Sequence, residues 1–329
     1  MILAPLIAVP LAAALGAGLI VRLRPLLVRY ALARPNARSS HTKPTPQGGG
    51  IAVVAATLAV TGLLLTAGDA TREVLVLGLG AVLLAVVGAV DDVRPLPALL
   101  RLILQAVAVG ALVASVEGRL LPDLPPALER GLAVLAGVWF VNLVNFMDGL
   151  DWMTVAEVVP ITGALVLLGL SGIVAPLPLL VAAALLGATL GFAPFNRPVA
   201  RLFLGDVGSL PVGLILAWLL YRLALQGGWA AAVLLPLYYL ADATLTLARR
   251  AARREPVWQA HRGHFYQRAT VNGISVRGVV GRVFGVNLGL AGLAGATLLW
   301  PSWPVTILGL STGGTLVGLL LIRFSRPRT

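Results

Sequence analysis

Cysteine is absent from the 329 residues, which removes disulfides, thiolate metal sites and cysteine nucleophiles together. Charge is scarce as well: 12% of residues against about 25% in an ordinary soluble domain. Only 13 residues are acidic, while 58% are hydrophobic and mean hydropathy is +0.93. A soluble fold is thereby excluded. The 37 glycines and 22 prolines are scattered through Leu/Ala/Val-rich runs without a repeat period, which excludes collagen-like and low-complexity chains. The net charge of +12 would invite a nucleic-acid partner in a soluble protein. In a membrane protein it marks the cytoplasmic side instead, so no nucleic acid is expected.

Apolar runs of about 20 residues are the unit of structure in lipid. They predict an all-α, polytopic integral membrane protein forming one domain over residues 1–329. Spans are expected at 3–21, 50–68, 74–90, 98–116, 131–147, 155–171, 176–193, 209–226, 229–248, 283–300 and 305–322, with one fewer if a weak run is re-entrant. Laid on that zigzag, 21 of the 25 basic residues fall on one side; only Arg72, Arg119, Arg130 and Arg222 fall on the other. The positive-inside rule then places the N-terminus outside and the C-terminus in the cytoplasm, with cytoplasmic loops at about 22–49, 91–97, 148–154, 194–208 and 249–282. The apolar start has no basic residues ahead of it and is read as a retained helix rather than a signal peptide.

The acidic residues carry the functional information, because few carboxylates are tolerated near membrane spans without a task. Asp69, Glu73, Glu117, Asp123 and Glu129 are expected in solvated external turns. Asp91, Asp92, Asp148, Asp151 and Asp206 all fall at cytoplasmic ends of different spans, so the zigzag gathers them on the most basic face. Such crowding requires a divalent cation or nearby Arg and Lys, which is the layout of a metal-assisted phosphate site.

Each motif has a bland and a functional reading. In "HTKPTPQGGG", two prolines forbid a helix and three glycines allow close backbone approach; the segment is a flexible connection, or it brings Lys43 to a phosphate. In "VDDVRPL", adjacent acids point about 100° apart on a helix, so one can hold a metal while the other faces substrate. In "WFVNLVNFMDGLDWM", Asn142 and Asn145 share a helix face and must find partners, whether neighbouring helices or a ligand. Gly149 then breaks the helix and leaves Asp148 and Asp151 in a turn. "FLGDVGS" sets Asp206 before a span with Ser209 as a candidate cap. "AHRGHFYQR" places His261 and His264 beside Arg262 and Arg268, a phosphate clamp or proton donor more than a zinc site. Arg249, Arg250, Arg253 and Arg254 read as lipid-headgroup anchors, and Asp242 as a structural partner for Arg249 or Arg250.

In order along nearly the whole chain, "KPTPQGGG", "DDVRP", "NLVNFMDGLD", "FLGDVGS" and "HRGHFYQR" resemble the polyprenyl-phosphate N-acetylhexosamine-1-phosphate transferase superfamily. This is glycosyltransferase family 4, the relatives of phospho-N-acetylmuramoyl-pentapeptide transferase. The last block looks like the O-antigen-initiating branch. The resemblance implies a bacterial inner-membrane enzyme with a cytoplasmic active site. It would move a sugar 1-phosphate from a UDP-N-acetylhexosamine to a polyprenyl (undecaprenyl) phosphate, release UMP, and start a cell-envelope polysaccharide such as lipopolysaccharide.

By the same resemblance the cofactor is Mg²⁺, with Mn²⁺ as a substitute. Asp206 and Asp92 bind metal, and Asp91, Asp92, Lys43, His261 and His264 are catalytic. Substrate falls to Asn142, Asn145, Asp148, Asp151, Phe203, Arg262 and Arg268, with Asp151 and Phe203 lining a uracil pocket. The membrane lipid is a partner and a homodimer stays open. Trp152, Met153 and Glu157 depart from the family pattern after "DGxD" and leave the sugar undetermined. The rival from another class is a transporter or flippase for an anionic lipid or sugar phosphate, but that would place ionisable groups near mid-membrane and within repeats.

Overall fold

In the computed structural model of the chain, residues 3–33, 44–65, 71–256 and 261–327 are described. They form an all-α bundle: α1 (Leu3–Tyr30), α2 (Gly49–Leu64), α3 (Thr71–Val93), α4 (Ala98–Ser115), α5 (Pro126–Met147), α6 (Met153–Leu170), α7 (Pro176–Phe192), α8 (Asp206–Leu223), α9 (Trp229–Leu234), α10 (Leu237–Ala252), α11 (Phe265–Val271), α12 (Val276–Leu299) and α13 (Trp303–Ser325). The strands are a two-residue antiparallel pair, β1 (Leu32–Ala33) with β2 (Thr45–Pro46), and a parallel bridge joins Gln47 to Phe203. Eight helical runs are long and apolar enough to cross a membrane, Asp206–Leu234 counting as one, and α2 and α7 are shorter apolar helices. This is the polytopic all-α protein expected.

Burial separates inner from outer helices. In α6 and the α8–α9 run, 72% and 78% of the apolar window is buried, whereas in α1, α4, α5 and α13 the share is 28%. Lipid supplies no hydrophobic drive between helices, so close packing of small residues must hold the inner ones together. A Cβ on Gly50 would lie 2.1 Å from the Gly208 Cα, and one on Gly88 would lie 2.2 Å from the Asp206 carbonyl oxygen. Helices α2 and α3 thus touch the first turn of α8 backbone to backbone.

Several boundaries differ from the hydropathy reading. Helix α1 continues to Tyr30, because Arg22, Arg24 and Arg29 end the apolar run without ending the helix; long basic side chains extend away from the apolar face. The loop expected at 249–282 contains α11 and the first turns of α12, where the Ser275 hydroxyl caps the helix by accepting from the Gly278 N–H at 3.2 Å. Spans eight and nine are divided by a turn of Ala224–Gly228 with Gly227 at φ 85°. The ninth is itself two helices, interrupted before α10 at Leu235 and Pro236, since proline cannot donate to the helical ladder.

The helices run between two ends. At one, the Trp229 ring lies 6.4 Å from that of Trp303; at the other, the Tyr266 hydroxyl donates to the Phe146 carbonyl and Asn272 Nδ2 donates to the Phe324 carbonyl. Glu73 and Glu129 correct another expectation. They are 5% and 6% exposed rather than solvated: Glu73 accepts from Trp218 Nε1 at 2.6 Å, and Glu129 accepts from Arg119 Nε at 2.7 Å and from the Leu120 and Leu121 N–H groups.

Gly88→Ala forces a methyl into the α3–α8 contact, an overpacking cost of about 1–3 kcal/mol. Gly78→Ala on the same helix meets nothing within 4 Å. Thermal unfolding in detergent is expected to show a lowered midpoint for the first and little change for the second.

Candidate active site

The acidic residues of "VDDVRPL" end α3, and the two do different work. Asp91 Oδ1 accepts the Leu96 N–H at 2.6 Å and Oδ2 accepts from Arg101 Nη1 at 2.6 Å, closing the turn into α4. Asp92 Oδ1 accepts the Asp206 N–H at 3.0 Å and Oδ2 accepts the Val207 N–H at 3.1 Å. It therefore caps α8 from another helix, satisfying N–H groups that a helix start leaves unpaired and placing an anion at the positive end of the dipole. The cap expected from Ser209 does not form; the residue at the cap position is Gly205 at φ 78° with no side-chain bond. A Cβ there would sit 2.6 Å from Asp92 Oδ2.

Asp206, the first residue of α8, accepts at Oδ1 from Asn145 Nδ2 at 2.7 Å, and the same amide donates to Ser209 Oγ at 2.8 Å. Its carboxyl lies within hydrogen-bonding reach of that of Asp91. Asn142 is directed elsewhere despite sharing the face: its Nδ2 donates to Gln105 Oε1 at 2.5 Å and to the Val138 carbonyl at 2.8 Å. It joins α5 to α4, and the substrate role expected of it has no support in these contacts.

The described part of the glycine-rich stretch is paired backbone rather than a flexible connection. The Phe203 N–H donates to the Pro46 carbonyl at 2.8 Å, and the Gly49 and Gly50 N–H groups donate to the Phe203 and Leu204 carbonyls at 2.9 Å. Gln47 Nε2 donates to the Asp92 carbonyl at 3.0 Å. Lys43 lies outside the described residues.

Between α5 and α6, Asp148 accepts from the Thr154 hydroxyl, and Asp151, 5% exposed, accepts the Ala200 N–H at 3.0 Å. Asn196 fastens the turn by accepting the Trp152 N–H at 2.7 Å. Burial above all, opposed by the Thr154 bond and aided by the charges of Asp92 and Asp151, pushes the Asp148 carboxyl up to about 7. Asp148 is thus electrostatically next to the Asp92 corner.

The histidine loop adjoins this turn. His261 and His264 stack with ring centroids 4.9 Å apart, and Phe146 lies 6.4 Å from His264. Gly149 is required here, since a Cβ would stand 2.1 Å from the Tyr266 hydroxyl oxygen. Asp242 is structural, as read, but not through a cation. Its Oδ1 and Oδ2 accept the Phe265 and Tyr266 N–H groups at 3.0 Å, Oδ1 lies 3.2 Å from His264 Nδ1, and Tyr238 donates to Oδ2. Arg249 instead stacks on the Phe265 ring, and Arg250 pairs with Glu255. Arg262 and Arg268 are exposed.

Sequence reading missed Arg101, Gln47, Thr154 and Tyr266, all of which hold site residues. Arg101 alone had a signal, a cation just beyond the DD pair and its proline. Glu157 is fully buried on α6, where it accepts from Asn287 Nδ2 at 2.6 Å.

Two outcomes are expected. Asn145→Leu should abolish activity measured in detergent while Asn142→Leu leaves most of it, losing only a helix contact worth about 0.6–1.7 kcal/mol. Native Asp148 binds its proton more tightly than the unfolded chain does, so its contribution to stability falls as pH rises from about 4 to about 7 and is flat above. Asp148→Asn should flatten that part of the unfolding midpoint's pH profile.

A family model described as Glycosyl transferase family 4 matches residues 74–224. A Bacillus subtilis (strain 168) protein named probable undecaprenyl-phosphate N-acetylglucosaminyl 1-phosphate transferase is 27% identical over 75% of this chain and 72% of its own length. Decaprenyl-phosphate N-acetylglucosaminephosphotransferase of Mycobacterium leprae is 32% identical over 57% of this chain and 53% of its own. Phospho-N-acetylmuramoyl-pentapeptide-transferase of Mycobacterium bovis is 34% identical over 55% of this chain and 64% of its own. The chain therefore spans about half to two thirds of these mycobacterial relatives. With the ordered motifs and the bundle that gathers them, these matches make the chain similar to the polyprenyl-phosphate hexosamine-1-phosphate transferases, the family model covering just under half of it.

Proposed function

We propose that the protein transfers an N-acetylhexosamine 1-phosphate from a UDP-sugar to a polyprenyl phosphate, releasing UMP, at a site on the cytoplasmic face of a bacterial inner membrane. Its homologues are named for transfer of a hexosamine phosphate to a polyprenyl phosphate. The observation that carries the reading here is the convergence of Asp91, Asp92, Asp148 and Asp206, from three helix ends, at one end of the bundle. A transporter would hold such groups near mid-membrane.

Among the described residues, no three His, Asp or Glu side chains form a ready-made metal cluster. Mg²⁺ does not need one: it takes one or two carboxylates and fills its octahedron with phosphate oxygens and water. The Asp91 and Asp206 carboxyls are in mutual hydrogen-bonding reach, and the cation paired with Asp91 is Arg101. Close carboxylates call for a shared proton or a cation, and hard oxygen donors fit Mg²⁺. Asp206, with Asp92 or Asp91, would hold it, and the ion would neutralise charge on the bridging and terminal phosphate oxygens.

The chain's own residues position the reactants. Asn145 fixes Asp206, Arg101 fixes Asp91, and the α8 amide groups fix Asp92. A lipid phosphate oxygen attacks the β-phosphorus in line, the bond from that phosphorus to the bridging oxygen breaks, and UMP departs with the electron pair. Positioning and charge stabilisation are the main demands of such a transfer; His261, His264 and Arg262 would serve the diphosphate, while Arg268 lines a second cavity beside the loop.

UMP release from a panel of UDP-N-acetylhexosamines, with polyprenyl phosphate and Mg²⁺, is the test. One donor should support release, chelation should stop it, and Asp206→Ala should lower kcat by about 10² to 10³. No release with any donor would favour the transporter. A labelled sugar phosphate trapped on the protein without lipid acceptor would replace in-line attack by a covalent route.

A further inference from the structure

Beside the histidine loop, outside the acidic cluster, a cavity of about 330 Å³ opens between the last turns of α10 and the loop from Gly263 to Arg268. Four arginines line it, Arg249, Arg250, Arg253 and Arg268, with Glu255 the single acidic residue. The last turn of a helix suits cations, but four of them around one concavity exceed what that half-charge offsets.

Two of the arginines are held in place. The Arg249 guanidinium carbon lies 4.5 Å from the centroid of the Phe265 ring. Arg250 is clamped, Nη1 to Glu255 at 2.9 Å and Nη2 to the Pro256 carbonyl at 2.9 Å, while its buried Nε has no acceptor. Glu255 is therefore engaged by one arginine, and the lining keeps an excess of three positive charges. Planar, preorganised guanidinium forks match the oxygens of a phosphate group, and the cavity is large enough to admit one.

We infer that the cavity walled by Arg249, Arg250, Arg253 and Arg268 is a phosphate-binding site separate from the carboxylate centre, taking either an anionic phospholipid headgroup or a free phosphate. The inference does not depend on the transferase reading. An occupant would bridge α10 to the histidine loop.

The test uses the full-length protein, delipidated in a neutral detergent, and two probes. Native mass spectrometry compares retention of phosphatidylglycerol with that of phosphatidylcholine; thermal unfolding is followed with inorganic phosphate against chloride at matched ionic strength. The variant is Arg249→Gln with Arg253→Gln, both exposed positions, and Arg326→Gln is the charge-matched control. The wild type should retain phosphatidylglycerol or be stabilised by phosphate, the first outcome naming a lipid headgroup and the second a soluble anion. The double variant should weaken that binding by about thirty-fold, and the control should leave it intact. Arg249→Lys with Arg253→Lys should retain part of the binding, which separates lost charge from lost fold. Equal binding by the double variant and the control, or no preference for either phosphate probe, overturns the site.

Discussion

The charged bond from Asp92 to the first turn of α8 is the constraint on which the rest of this site depends. A helix start leaves several N–H groups without partners, and here the carboxylate that serves two of them comes from the end of α3. Charge-assisted bonds of this kind contribute about 1.5–3 kcal/mol each. They act only because Gly88 and Gly205 let the two backbones approach. Asp206 then begins its helix beside Asp91, and Asn145 receives it from α5.

Seen from that corner, the rest of the site is a set of fasteners. The strand contact between residues 46–50 and 203–204 fixes the α8 entry. Asn196 and Ala200 hold the turn that carries Asp148 and Asp151. Asp242 caps α11 and steadies His264. These fasteners belong to loops and helix ends, while the inner helices supply a close-packed frame.

Much of this was legible in the chain. Apolar runs separated by charge gave the helices, and the one-sided arginines gave a common face for Asp91, Asp92, Asp148 and Asp206. Partners across helices were not legible. Nothing local tells that Asn142 faces Gln105 while Asn145, one turn on, faces Asp206; that depends on which helix packs against which half-turn of α5. For the same reason Glu73 read as a solvated turn, when Trp218 encloses it from a distant helix; Glu129 did so because the preceding loop, Arg119 to Leu121, folds back onto it. The break in the ninth span had a visible cause in Pro236, but hydropathy averages across a single residue and passes over it.

The meeting of Gly149 and Tyr266 has a consequence for how such a chain can diversify. Because the phenol hangs from the Phe146 carbonyl across a residue that has no side chain, the two loops are sterically interlocked. Altering loop length or bulk on one side demands a matching change on the other. Variation in this part of the molecule should accordingly arise as paired changes spanning positions 146–153 and 261–268, and swapping either segment alone between relatives would disturb its neighbour.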